Sequence, residues 1–211
     1  MRDPDAAEID GLLNAGDGAI RMVTIAPERD GVMAAISQLV DAGVVVAVGH
    51  TEASYDQTRA AIDAGATVGT HLFNAMRPIH HREPGPIVAL LEDPRVTVEI
   101  IDDGVHVHPA LYRQVSRSAG PDRVSLITDA MAAAGMSDGP YTLGALTVDV
   151  VDAVARIAGT DTIAGSTATM DRVFRFAVEN SGLSRDEALS QAVRQASINP
   201  ARALGLPVDG L

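Results

Sequence analysis

The 211-residue chain contains no cysteine, so it can build neither a disulfide framework nor a thiolate zinc site. Any metal it binds must be held by histidine and carboxylate. Aromatic residues make up only 3%, and 16 Lys and Arg face 28 Asp and Glu for a formal net charge of −12. Phosphate-backbone binding relies on basic stripes and stacking rings, so no nucleic acid partner is expected. No run of about 18 consecutive apolar residues occurs, and Met1-Arg2-Asp3-Pro4-Asp5 is not a basic start followed by an apolar stretch. Neither a membrane span nor a secretion signal is expected, and the lack of cysteine fits a reducing cytoplasm.

With 46% hydrophobic residues and this length, the chain can bury a substantial core. Its organising stretch holds two apolar runs that each end in a histidine, Val44-Val45-Val46-Ala47-Val48-Gly49-His50 and Ala66-Thr67-Val68-Gly69-Thr70-His71. One helical pattern lies between them, from Ser54 to Ala64. The same strand, loop and helix grammar starts at Ile20 to Ile25 with Gly31 to Ala42, where Val32, Ala35, Ile36, Leu39 and Val40 form one stripe. It continues at Ala66 to Thr70 with Pro86 to Glu92, and at Val96 to Ile101 with Pro109 to Ala119. Arg123 to Thr128 reads as a fifth strand. Strands separated by helices at intervals of about 20 to 30 residues imply βαβ units and a parallel sheet, hence an α/β fold.

The stretch of about 139–160 breaks that rhythm with short β-rich pieces and reads as an antiparallel hairpin excursion. Helices then return, from about Thr169 to Asn180 and from Ser184, whose Glu187 three positions on makes a capping box. No low-complexity segment or sequence repeat is present, and residues 1–211 are read as one domain.

Polar groups stand where the strands end: His50, His71, the set Asp102, Asp103 and His106, and Asp129 follow four successive strands. In parallel barrels that end carries the active site. A single strand-end His or Asp can equally cap the next helix. Four in succession point to a site. His50 and His71 supply two imidazoles for a divalent ion, and Asp129 is the candidate general base for metal-assisted hydrolysis. Glu28, at the end of the first strand, is a weaker candidate ligand that also reads as a loop cap. His80, His81 and Arg82 lie in a loop that suits a surface position or an anionic substrate. Ile163-Ala164-Gly165-Ser166 is a small-residue turn where a ligand could approach the backbone closely.

Gly49-His50-Thr51, Thr70-His71-Leu72-Phe73-Asn74-Ala75-Met76, Arg82-Glu83-Pro84-Gly85, Asp103-Gly104-Val105-His106-Val107 and Thr128-Asp129-Ala130-Met131 closely resemble the N-acetylglucosamine-6-phosphate deacetylase family of the amidohydrolase superfamily. The resemblance runs from Thr24-Ile25-Ala26-Pro27-Glu28 to Ile198-Asn199-Pro200-Ala201. It implies a partial (β/α)8 TIM-type barrel, with about five of its eight strands in this chain and without the family's small β domain. It implies metal ligation by His50 and His71, with zinc first and iron, manganese or cobalt as alternatives. The family's third ligand, a Glu in a Leu-Glu-Gly-Pro type segment, has no counterpart here. Asn74 and Ala75 would contact the sugar phosphate, and Arg82 would meet the phosphate in a homodimer. His106 would hydrogen-bond the substrate, Asp129 would act as general base and acid, and Ile163, Ala164 and Gly165 would form a loop over the substrate. The implied reaction releases acetate and glucosamine 6-phosphate, with a metal-activated water as nucleophile.

Two other readings stand beside it. One is an amidohydrolase acting on a cyclic amide, with His106 and His108 as a metal pair, against which a neutral substrate's lack of need for Arg82 counts. The other is a non-catalytic relative that requires a partner.

Overall fold

The computed structural model describes residues 2–208, so the single unit expected over 1–211 extends beyond the described residues at Met1 and at 209–211. Five strands, β1 (Met22–Ile25), β2 (Val45–Val48), β3 (Ala66–Gly69), β4 (Thr97–Ile100) and β5 (Val124–Leu126), form one sheet in chain order. Every neighbouring pair is parallel, with Met22 beside Val45, Val48 beside Gly69 and Val98 beside Val124. Parallel neighbours need a crossover, and the helices α2 (Val32–Asp41), α3 (Tyr55–Asp63), α4 (Gly85–Glu92) and α5 (Pro109–Ala119) supply it. All strand ends that carry the candidate residues therefore point the same way.

Local chemistry fixes the helices. Val32, Ala35, Ile36 and Leu39 of α2 are buried at the spacing of one helical face. Ser54 and Gln57 cap α3 reciprocally, and α5 opens on Pro109 in its first turn. Between sheet and helices lies one core in which Val46, Val48, Val98, Ile100 and Val124 of the strands meet Ile36, Ile62, Leu90, Tyr112 and Val115 of the helices. Each fully buried side chain of this size contributes about 1.5–3 kcal/mol.

The excursion after β5 is a hairpin, β6 (Gly139–Leu143) with β7 (Leu146–Val151), extended by a third antiparallel strand, β8 (Val154–Ile157). It packs its own small core, with Val148, Val150 and Ala155 against Met131, Ala133 and Ala164. The chain returns through α6 (Met170–Asn180) and α7 (Arg185–Val193), where Ser184 and Glu187 form the expected capping box. A π-helical turn, Arg194–Ile198, leads into α8 (Asn199–Ala203). A helix α1 (Ala6–Gly16), not anticipated from the sequence, precedes β1 and packs on α2. Among the described residues no helix is long and apolar enough to cross a membrane.

Candidate active site

The two strand-end histidines meet. Their Nε2 atoms are 2.8 Å apart, with the rings edge to face at a centroid separation of 4.6 Å. Both residues adopt left-handed backbone conformations, φ +50° at His50 and +29° at His71, as do Phe73, Ala75 and Asp129. Non-glycine residues in this region are strained and collect at functional sites. Gly49 lets the two strand ends approach: a Cβ there would fall 2.7 Å from Cβ of Thr70.

The turn after His71 holds itself together. Asn74 donates its backbone N–H to the His71 carbonyl at 3.0 Å, and its side-chain amide reaches the carbonyls of His71 and Leu72. Thr51 N–H bonds to Ala75 O, and Arg77 N–H bonds to Thr51 O, each at 2.9 Å, which binds the two histidine loops into one platform.

Burial lowers the pKa of the His71 imidazole, and the neighbouring His50 lowers it further, while the Asp129 charge opposes both. A neutral imidazole is the form a metal needs. Two Nε2 atoms aimed together, one ring kept neutral by burial, fit a divalent cation as donors. Among the described residues no group of three His, Asp or Glu could hold a metal ion. Glu28 does not complete the set: its Oε2 accepts the Thr51 hydroxyl and its Oε1 the Glu52 N–H at 2.9 Å, so it caps the His50 loop.

His106 is held differently. Its Nδ1 lies 2.8 Å from Asp103 Oδ2, and the ring is only 6% exposed. Burial would raise the Asp103 carboxyl, but hydrogen bonds from the His106 side chain and from the His106 and Val105 N–H groups outweigh it. That carboxyl therefore stays well below the usual range. His108 caps α5 by accepting the Ala110 N–H at 3.1 Å and is exposed. The His106 ring is buried whereas His108 is exposed, and among the described residues neither belongs to a group of three side chains that could hold a metal ion.

Asp129 is exposed just beyond β5, and its carbonyl accepts the Ser166 N–H at 2.8 Å. That bond lays the turn of Ile163, Ala164 and Gly165 beside it. Gly165, at φ +69°, would be strained and crowded by a side chain, since a Cβ would sit 3.0 Å from Asp129 O. Arg82 lies on an exposed loop between β3 and α4, with Nη1 2.7 Å from His81 Nε2. The structure thus brings His50, His71 and their joined loops together, links Asp129 to 163–165, and leaves Arg82 on the surface.

Three groups receive no role of their own from the sequence. Asp103 was one of three strand-end residues named together, and its i, i+3 relation to His106 is the signal that singles it out. Ser166 carried no signal beyond following Gly165. Glu99 lies on β4, and burial pushes its carboxyl up to about 7, against the His71 N–H that lowers it and with Asp129 adding to the rise.

Residues 2–209 match the model of the amidohydrolase family. The chain belongs to the amidohydrolase family. Among curated relatives, an N-acetylgalactosamine-6-phosphate deacetylase of Escherichia coli O157:H7 is 43% identical over 100% of this chain and 54% of its own length. An N-acetylglucosamine-6-phosphate deacetylase of Danio rerio is 44% identical over 89% of this chain and 46% of its own. Among solved structures, an N-acetyl-D-glucosamine-6-phosphate deacetylase mutant of Mycobacterium smegmatis, in complex with N-acetyl-D-glucosamine-6-phosphate, is 74% identical with a TM-score of 0.97. The likeness covers 98% of this amidohydrolase chain and 54% of that one. The chain spans about half the length of the curated relatives it matches.

Proposed function

We propose that this chain serves in the hydrolysis of the N-acetyl group of N-acetylglucosamine 6-phosphate, giving glucosamine 6-phosphate and acetate. The observation that carries the reading is the convergence of His50 and His71 Nε2 at 2.8 Å, at the end of the sheet where Asp129 and His106 also stand. The 74% identity to a deacetylase solved with that sugar phosphate supports the choice of substrate.

His50 and His71 would hold a divalent ion, zinc first by the nature of its imidazole donors, with iron, manganese or cobalt as alternatives. When bound, the metal supplies Lewis-acid polarisation of the amide carbonyl and makes a water more acidic. Breaking the C–N bond also requires that a proton leave the attacking water and reach the departing amine. Asp129 would take that proton from the water and return it to the amine. Asn74 and Ala75, on the platform joined to His50, contact the sugar phosphate, and the turn of Ile163, Ala164 and Gly165 lies over the sugar. His106 bonds the substrate through the nitrogen that Asp103 leaves free. Exposed Arg82 reaches the phosphate across a homodimer, and the setting is cytoplasmic.

The deciding experiment measures metal content and acetate release from N-acetylglucosamine 6-phosphate, for this chain and for a longer form of the relatives' length. Acetate and bound metal in the longer form, lost on chelation, are expected. No acetate from either form overturns the reading. Arg82→Ala is expected to raise KM for the 6-phosphorylated substrate about 10-fold or more and to spare unphosphorylated N-acetylglucosamine. Equal losses on both would return Arg82 to the surface loop.

A further inference from the structure

Asp103 and Ser166 are buried, 4% and 2% exposed, and they contact each other across 63 residues of sequence. Asp103 Oδ1 accepts the N–H groups of Val105 and His106, each at 2.9 Å. Its Oδ2 accepts the Ser166 hydroxyl at 2.8 Å and faces His106 Nδ1 at the same distance. Ser166 Oγ itself accepts the Ala168 N–H at 2.9 Å, so its own proton is directed at Asp103. The main chain of Ser166 holds the other loop: its N–H donates to Asp129 O at 2.8 Å and its carbonyl accepts the Met131 N–H at 2.9 Å.

The proton count in this cluster has one solution. An ionised carboxylate only accepts, so the proton between Asp103 and His106 sits on Nδ1. In the neutral ring Nε2 is then a bare acceptor. The geometry points to Asp103 and Ser166 as positioning residues: Asp103 fixes the orientation and Nδ1–H tautomer of His106, and Ser166 ties that pair to the backbone of Asp129. The two groups assigned to the substrate are thereby held in one frame. With Nδ1 committed to Asp103, Nε2 is the ring atom left for the substrate. This use of the pair rests on the deacetylase reading, whereas the tautomer does not.

The test is nitrogen-15 NMR of histidine-labelled chain under alkaline conditions. His106 is expected with Nδ1 protonated and Nε2 bare. Asp103→Asn keeps an oxygen for the two backbone N–H groups but turns an amide NH2 toward the ring, so His106 must switch to the Nε2–H tautomer. A wild-type ring in the Nε2–H form, or a folded Asp103→Asn chain whose ring stays Nδ1–H, overturns the assignment. If Asp103→Asn does not fold, the wild-type spectrum alone decides the tautomer. Ser166→Ala, in the form that releases acetate, is expected to lower kcat about 10-fold with metal content unchanged, while the thermal midpoint falls with the loss of the buried bonds to Asp103 and Ala168. Unaltered kcat removes Ser166 from the role. Because the tautomer is read without turnover, failure of the deacetylase assay and failure of this proposal give different results.

Discussion

The two ends of the parallel sheet treat polar groups in opposite ways. At the amino ends, Asp93 is 3% exposed and accepts from Arg95 Nε at 2.9 Å, Arg95 Nη2 at 2.7 Å, the Arg95 N–H at 2.9 Å and Arg59 Nη1 at 2.7 Å. Arg123 donates to the carbonyls of Leu91, Asp93 and Val96 at 2.8–2.9 Å. The Arg95 hydrogen bonds outweigh burial and hold the Asp93 carboxyl well below its ordinary range. At the carboxyl ends, five non-glycine residues adopt left-handed φ, and Asp102 is wholly buried with neither oxygen hydrogen-bonded. Among the described residues two groups depart from the pattern: Asn199 Oδ1 lacks a partner beside the amino end of β5, and Asp103, beyond β4, is buried and fully hydrogen-bonded. One end spends its polar groups on stability; the other keeps them strained, unpaired or free for a ligand.

The largest effect is expected at the satisfied end. Asp93→Ala leaves Arg59 and Arg95 without their buried acceptor and should cost about 3 kcal/mol in urea denaturation, discounted for the exposure of Arg95. A loss under about 1 kcal/mol would mean that the network is no stronger than surface ion pairs and would erase the contrast.

Next comes Asp129, at the strained end. Asp129→Asn keeps the side-chain shape and suits φ +48°, since Asn enters the left-handed region readily. In the form that releases acetate, turnover should fall about 100-fold, with metal content and stability held. Near-normal turnover would take proton transfer away from Asp129. Variants at the two ends would then separate, one losing stability and the other losing rate.

Asp102 carries the contrast into pH. Burial pushes its carboxyl up to about 7, and the charge of Asp103 adds to the rise; Tyr112 faces it from α5. The fold therefore favours the neutral acid. Below the ordinary value of 3.8 the folded and unfolded chains are both protonated there and nothing is lost. As pH rises from 3.8 to about 7 the unfolded chain ionises first, so stability falls, and above 7 the loss is complete. Asp102→Asn removes that titration and should stabilise the chain by on the order of 2 kcal/mol at pH 8, with the gain vanishing below about pH 4. A gain independent of pH would show that the side chain is not a buried acid.

Much of this was legible in the sequence. The two periodicities placed all five parallel strands and the helices between them, because buried strands and amphipathic helices differ in spacing wherever the core sits. His50 and His71 could be paired without coordinates, since consecutive parallel strands deliver their ends to one side. Helix α1 escaped although Asp5 caps it through the Glu8 N–H, because none of its residues is buried and its apolar stripe is weak. The link between Asp103 and Ser166 could not be read locally: it joins the β4 loop to the turn beyond the small antiparallel sheet. Patterns within one element reveal faces and caps, whereas contacts between loops depend on how the elements are stacked.

The smallest effect tests whether the strain itself belongs to the site. Ala75 sits at φ +49° on the exposed side of the turn after His71, where its Cβ crowds the carbonyl that follows. Ala75→Gly removes that Cβ but gives the unfolded chain more freedom, so the net gain in stability should be about 0.5–1 kcal/mol. If the turn is strained in order to hold backbone groups toward a phosphate, the same change should weaken binding of the phosphorylated sugar while the denaturation midpoint rises. A gain in stability with unchanged binding would leave the left-handed backbone as a simple consequence of joining the His71 turn to Thr51.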